Sequence, residues 1–77
     1  MARAYVLATA SPGEVTETLK AVHQIEGVLS VDSVIGPYDL IALVQAADFD
    51  ELGRLVVGKI QSTEGVTSTL TCPIVKL

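Results

Sequence analysis

The chain has 77 residues, of which 49% are hydrophobic and 18% charged, and its formal net charge at pH 7 is -4. A chain of this length forms one domain, residues 1–77, and buries only about 60% of the surface that its unfolded form exposes. Because the mean hydropathy is nevertheless +0.52, a monomer would keep apolar side chains on its surface, and we expect self-association.

Charge and composition also restrict the partners and the location. The five Lys and Arg residues are spread along the chain, whereas a nucleic-acid backbone requires clustered cations, so we expect no direct nucleic-acid binding. The apolar runs are far shorter than the roughly 18 residues of a membrane span, so no membrane partner is predicted. A single cysteine, Cys72, and no cleavable signal favour the cytoplasm.

The first predicted elements are a strand and a helix. Residues 4–10 are β-branched and aromatic enough for a strand. The tetrad 11–14 (Ser-Pro-Gly-Glu) predicts a helix start, with Ser11 as N-cap, Pro12 at the first helical position and Glu14 closing a capping box. Apolar residues then follow at helical spacing before Gly27 ends the helix: Val15, Leu19, Val22 and Ile25.

A hairpin is predicted at the centre of the chain. Residues 28–35 alternate between apolar and polar, which indicates an edge strand with a bulge or an end near Val34. Residues 40–44 are apolar on both faces, as in a strand covered on both sides. The intervening Gly36-Pro37 predicts a turn, and Tyr38-Asp39 follows it directly. This ring and carboxylate suit a binding loop, but a strand-start aromatic and a turn cap explain them as well without any ligand.

The last predicted elements are a second capped helix and a strand. Asp48 and Glu51 form another capping box, Asp50 and Arg54 are spaced for a solvated ion pair, and four apolar residues form the inner stripe: Phe49, Leu52, Val56 and Ile60. Residues 67–75 predict a strand with three threonines on one face: Thr67, Thr69 and Thr71.

Two glycines, Gly53 and Gly58, interrupt the second helix and cost about 1 kcal/mol each relative to Ala. Close packing by the sheet or by another subunit would explain them, and simple tolerance is the alternative.

The order βαββαβ predicts an α+β fold, the ferredoxin-like plait, with a four-stranded antiparallel sheet and two helices on one face. The opposite face, with the second side of residues 40–44 and the threonine row, is predicted to pair with another copy. His23 and Cys72 each stand alone, so the residues predict no metal site, nucleophile or catalytic residue, and no cofactor motif is present.

The chain resembles the effector-binding domain of the leucine-responsive regulatory protein/AsnC (Lrp/AsnC) family, also called the RAM domain. The resemblance covers the whole chain and is strongest in the helix 49–60 and in two segments, 34–41 (Val-Ile-Gly-Pro-Tyr-Asp-Leu-Ile) and 64–71 (Glu-Gly-Val-Thr-Ser-Thr-Leu-Thr). It implies a sheet-to-sheet homodimer that assembles into an octamer or decamer, with a free amino acid or related metabolite bound where dimers meet.

The family's regulators carry a helix-turn-helix domain before this module, and 77 residues leave no room for one. We therefore expect a stand-alone RAM domain that regulates transcription or amino-acid metabolism through a partner, such as a full-length Lrp/AsnC regulator, without contacting DNA itself.

The resemblance also implies which residues bind the ligand. Asp39 would accept the ligand's ammonium group, because a carboxylate screened from water is its natural partner. Gly36 would let the backbone approach, Tyr38 would wall the pocket, and hydroxyls would come from Thr67 and Thr69. Backbone N–H groups would hold the ligand's carboxylate, and the proline of the turn, residue 37, would narrow or reshape the pocket.

Two other functions remain open on the residues. Some dimeric ferredoxin-like proteins are small cofactor-free enzymes with a polar, often His-bearing cavity inside each subunit. Here the sheet is aliphatic and the only histidine, His23, lies on a helix, so we do not expect an enzyme. An ACT-type regulatory domain has the same fold and also binds amino acids, but it pairs its sheets side by side rather than face to face.

Overall fold

The computed structural model describes all residues from 1 to 77. Its elements follow one another in the predicted order βαββαβ. They are β1 (Ala2–Ala10), α1 (Val15–His23), β2 (Val28–Ser33), β3 (Leu40–Ala46), α2 (Phe49–Leu55) with a π-helical continuation (Val56–Ile60), and β4 (Val66–Pro73). None of the helices is both long and apolar enough to cross a membrane.

The four strands form one antiparallel sheet in the order β2-β3-β1-β4. The two central strands are therefore β1 and β3, and β2 is an edge strand, as the sequence predicts. The fold is the ferredoxin-like plait of the α+β class.

The hydrophobic core lies between the sheet and the two helices. Alternate residues of the central strands point towards the helices and are almost fully buried, for example Val6 and Val44 at 1% and 0% exposed. Helix α2 and its π-helical turn contribute Leu52, Val56 and Ile60. This alternation is the pattern expected of strands with one face on the core.

The other side of the sheet carries no helix and is lined by apolar side chains. In the strand register Tyr5 lies opposite Leu43 and Leu7 lies opposite both Ile41 and Leu70. Tyr5 is 44% exposed and Leu70 47% exposed, and the other three are half-buried. We call these five residues the uncovered sheet face.

The predicted start of the first helix is wrong. Helix α1 begins at Val15, and no side chain caps its first turn. Residues 11–14 instead form a turn in which the backbone N–H of Glu14 donates to the carbonyl of Ser11 at 3.0 Å. Gly13 has φ +80, which a right-handed helix cannot accommodate, so the helix starts after it.

The second helix starts as predicted but differs in its side-chain pairs. Asp48 caps it, accepting from the backbone N–H of Glu51 at 2.8 Å. The Glu51 carboxylate pairs with Arg54, so the predicted pair between Asp50 and Arg54 is absent. Phe49, the first residue of α2, is 60% exposed, so its predicted place in the inner stripe is wrong.

Candidate functional site

The turn between β2 and β3 is fastened to the end of β1. The backbone N–H of Asp39 donates to the carbonyl of Ala8 at 2.9 Å, and the N–H of Val34 donates to the carbonyl of Asp39, also at 2.9 Å. These bonds extend the sheet beyond the last regular pair, Ala8 with Leu40. The turn that the sequence singles out is therefore held by the sheet at both of its ends.

The Asp39 carboxylate adds a third attachment. Its Oδ2 atom accepts a hydrogen bond from the backbone N–H of Ala10 at 2.8 Å, in partly buried surroundings. This bond fastens the turn to β1 and is not the local turn cap that the sequence leaves open, because Ala10 lies outside the turn. The other carboxylate oxygen accepts no hydrogen bond from the chain, and a carboxylate has about four lone-pair sites. Asp39 thus retains the capacity to accept a further donor.

The rest of the turn faces solvent. Gly36 has φ +145, and a Cβ added there would meet nothing within 4 Å, so its backbone conformation favours glycine without any ligand. Tyr38 is half-buried and Pro37 exposed. Ile35 is 105% exposed, which leaves a β-branched apolar side chain at the tip of a fixed turn.

The predicted threonine row is split by a β-bulge. Thr9 pairs with Ser68 but Ala10 pairs with Val66, so Thr67 is an extra residue in β4. Thr69 and Thr71 lie opposite Ala8 and Val6, which are buried beneath the helices. The prediction that this row belongs to the face opposite the helices is therefore wrong for Thr69 and Thr71, because the inserted residue changes the side to which the strand's residues point.

Thr67 joins a different group of hydroxyls. The Oγ1 atom of Thr9 lies 2.6 Å from both the Thr67 Oγ1 and the Ser68 Oγ atoms. Sequence reasoning missed Thr9 and Ser68 as candidates. Thr9 follows Tyr5 and Leu7 at a spacing of two residues, and this alternation places it on the uncovered side of the sheet. The bulge that brings Thr67 next to Thr9, however, depends on the pairing of distant segments.

Thr69 is positioned from the helix side. The π-helical turn ends with the backbone N–H of Gln61 donating to the carbonyl of Val56, five residues earlier, at 2.8 Å. The Gln61 side chain then donates from Nε2 to the Thr69 hydroxyl at 3.0 Å. A shallow hollow of about 340 Å³ lies here, lined by Gln61, Val66, Thr67, Ser68 and Thr69. Gln61 is a further residue that the sequence did not indicate.

The turn and the hydroxyl-bearing residues meet at the same end of the sheet. Asp39 and Thr67 flank the end of β1 on its two sides, and two strand spacings put their backbones about 10 Å apart. The hollow at the start of β4 includes no residue of the turn. The structure thus brings the predicted residues to one edge of the molecule without enclosing a space between them.

A larger groove lies at the other end of the sheet. It has a volume of about 770 Å³ and runs between the loop after α1 and α2, with Ile25, Gly27, Ala46 and Leu55 among its lining residues. It contains none of the predicted ligand residues. Neither His23 nor Tyr5, either of which could line the cavity of an enzyme of this fold, is among its lining residues.

Fold and site together define a ferredoxin-like α+β domain with a carboxylate and a group of hydroxyls at one sheet end and an uncovered aliphatic face. The family model of the Lrp/AsnC ligand binding domain matches residues 3–76. The chain therefore belongs to the Lrp/AsnC ligand-binding domain family, a family of regulatory domains, and the ACT-type alternative is set aside.

Two curated relatives are longer proteins. The chain is 36% identical over 55 residues to the HTH-type transcriptional regulator PH1916 of Pyrococcus horikoshii, covering 71% of this chain and 37% of that protein. It is 38% identical over 61 residues to homocitrate synthase of Saccharolobus islandicus, covering 79% of this chain and 13% of the enzyme. The chain thus spans about a third or less of these relatives.

Solved structures share the fold over the full chain. TTHA0845 from Thermus thermophilus is 38% identical with a TM-score of 0.92, covering 100% of this chain and 96% of that one. The transcriptional regulator NMB0573 of Neisseria meningitidis, solved as an L-Met complex, has a TM-score of 0.86 at 18% identity, covering 97% of this chain and 50% of that one. At 18% identity, the similarity to NMB0573 shows a shared fold alone.

Proposed function

We propose that this chain is a regulatory module that binds a free amino acid, or a closely related metabolite, at the sheet end formed by the turn 34–39 and the start of β4. The observation that carries the proposal is the Asp39 carboxylate. It is held in place by the Ala10 N–H at 2.8 Å and still has an oxygen free to accept a hydrogen bond. Such a preorganised anion suits the ammonium group of an amino acid.

The surrounding groups fit the remaining parts of the same ligand. Thr67 is exposed within the bulge and Thr69 is half-buried on the helix side of the sheet, and the hydroxyls of both can donate or accept hydrogen bonds. Gly36 leaves open space for a ligand to approach the backbone, and Tyr38 supplies a ring beside it. The related fold solved with L-Met supports an amino acid as the ligand class.

The proposed site is completed by a second copy of the chain. Within one chain the turn and the threonines are about 10 Å apart along the sheet end, whereas Ile35 projects fully exposed from the turn tip. A neighbouring copy that buries Ile35 would close the space between the two groups. This agrees with assembly of dimers into a larger ring, an octamer or a decamer.

The dimer itself is proposed to form through the uncovered sheet face. Its centre is aliphatic, with Leu7, Ile41 and Leu43 half-buried even in a single chain. Burying apolar surface contributes roughly 25 cal/mol per Å², and packing two sheets face to face removes the whole patch from water. Sheet-to-sheet pairing would also bury the apolar surface that the composition predicts for a monomer.

The proposed output is regulation of a partner protein in the cytoplasm, with no direct contact to DNA, no membrane association, no cofactor and no catalytic step. The resemblance to PH1916 favours a full-length Lrp/AsnC regulator as the partner. The resemblance to a segment of homocitrate synthase favours a second candidate, control of a biosynthetic enzyme. A net charge of -4 suits either protein partner better than nucleic acid.

The test is thermal unfolding of the whole chain in the presence of each of the twenty amino acids. A ligand at about 100 times its Kd stabilises the folded state by about 2.7 kcal/mol, which for a domain of this size raises the melting temperature by more than about 10 °C. We expect at least one amino acid to do so with the wild type and with Glu14→Gln, an exposed control carboxylate that caps nothing. The same amino acid should not stabilise Asp39→Asn. No response from the wild type, or an equal response from Asp39→Asn, would contradict the proposal.

A further inference from the structure

The outer face of α2 and of its π-helical continuation carries two glycines that the folded chain does not require. A Cβ added at Gly53 or at Gly58 would meet nothing within 4 Å, and neither glycine has a positive φ. The sheet is therefore not the reason for them, and both lower the stability of the helix relative to alanine. Close packing within one chain is therefore excluded as the reason for glycine at these two positions.

The two glycines leave a hollow beside an exposed aromatic ring. The hollow has a volume of about 470 Å³ and is lined by Asp50, Gly53, Arg54, Val57 and Gly58. One turn before it stands Phe49, the only phenylalanine of the chain, 60% exposed, and Val57 within it is 64% exposed. An exposed aromatic ring and a shallow, open hollow thus lie one helical turn apart, since Phe49, Gly53 and Val57 follow one another at a spacing of four residues.

We infer that this face of α2 binds the same face of a second copy, with the two helices antiparallel and each Phe49 ring seated in the partner's hollow. A twofold contact requires that if residue i meets residue j, then j meets i. At about 1.5 Å per residue, Phe49 lies about 10 Å along the axis from the midpoint of Gly53 and Gly58. The twofold axis therefore passes close to Gly53, the position without a side chain, where the helices can approach most closely.

The charges on this face are complementary in the same register. An axis near Gly53 sets Asp50 of each copy opposite Arg54 of the other. Asp50 has no ion pair within the chain, since Arg54 pairs with Glu51, and both Asp50 and Arg54 lie at the rim of the hollow. The contact thus provides two interchain ion pairs and leaves the inner residues of α2 undisturbed.

This contact lies on the opposite side of the molecule from the uncovered sheet face. A chain that pairs through both faces forms assemblies larger than a dimer, because two different twofold contacts link successive pairs. The inference uses only the outer face of α2, and it does not depend on amino-acid binding.

Sedimentation velocity of the full chain tests the contact. We expect Gly53→Gln and Gly58→Gln, which fill the hollow with a better helix former, to reduce the mass of the particle by half or more at high micromolar concentration. Ala21→Gln, which adds the same group at an exposed site of α1, should leave the mass unchanged. Circular dichroism checks that every variant remains folded. If both filled variants keep the wild-type mass, or if the control loses mass equally, the inference is overturned.

Charge reversal tests the register. Asp50→Arg and Arg54→Asp should each lose the contact, since each brings like charges together at both ion pairs. An equimolar mixture of these two variants should regain the wild-type mass, because every pair between unlike variants again joins opposite charges. A mixture that sediments like the separate variants would overturn the antiparallel arrangement.

Discussion

Replacing Asp39 by Asn and by Ala separates two roles of one carboxylate. The structural role needs only an acceptor for the Ala10 N–H, which lies 2.8 Å from Oδ2 in partly buried surroundings. Asn keeps a carbonyl oxygen there, whereas Ala leaves the N–H without a partner. A hydrogen bond to a charged group contributes about 1.5 to 3 kcal/mol and a neutral one about 1 kcal/mol.

We therefore expect Asp39→Ala to lose about 2 kcal/mol of unfolding free energy and Asp39→Asn about half of that. For a domain of this size, 2 kcal/mol corresponds to a melting temperature lowered by about 8 to 16 °C. Binding of the ammonium group instead needs the charge, so both variants should fail to respond to the amino acid that stabilises the wild type. The assay is thermal unfolding with and without that amino acid. An Ala variant as stable as the wild type would refute the structural role, and an Asn variant with the full ligand response would refute the ligand role.

Two further substitutions test the fold and the dimer face. Gly65→Ala should cost about 2 to 5 kcal/mol, because Gly65 has φ +96 and the new Cβ would lie 2.1 Å from the buried Thr18 Oγ1. In urea unfolding, adding Thr18→Ala should recover the part of this free energy that is lost to the clash between the new Cβ and Thr18. No recovery would mean that this clash does not cause the loss. Leu43→Lys, at the centre of the uncovered sheet face, should abolish sheet-to-sheet pairing and lower the mass of the folded particle by at least half in light scattering. Glu17→Lys, on the outer side of α1, serves as its control, and unchanged mass for Leu43→Lys would contradict sheet-to-sheet pairing.

Most of the fold could be predicted because its signals are local. The alternation in residues 28–35, the continuous apolar run 40–44 and the Asp48 cap each report the surroundings of a few neighbouring residues. These elements occur where the sequence predicts them, and the order of the strands follows from right-handed crossovers. The ferredoxin-like plait could therefore be predicted without knowing which distant residues are in contact.

The errors concern features that depend on contacts between distant segments. The bulge that adds Thr67 to β4 exists only in the pairing of β4 with β1, and it reverses the side on which Thr69 and Thr71 lie. The 60% exposure of Phe49 depends on how the helix lies on the sheet, which the periodicity of one segment does not report. The capping pattern at residues 11–14 predicts the wrong helix start because the positive φ of Gly13 is visible only in the structure.

The candidate site was predicted only in part for a similar reason. The turn and its carboxylate are marked by Gly-Pro and by the change from alternating to continuous apolar residues. Thr9, Ser68 and Gln61 join the site through a bulge and a π-helical turn, which leave no clear trace in the sequence. The proposed second half of the site belongs to another copy of the chain, and no single sequence specifies how copies meet.

The most direct test of a ligand site shared between copies is complementation in mixed oligomers. Asp39→Asn and Thr67→Ala each remove one half of the proposed site, and each variant alone should bind no amino acid in calorimetric titration. If the two halves come from different subunits, subunits exchanged at random should restore about a quarter of the sites. Recovery of that fraction is the predicted result, and a mixture that binds no more than its separate components would contradict the shared site.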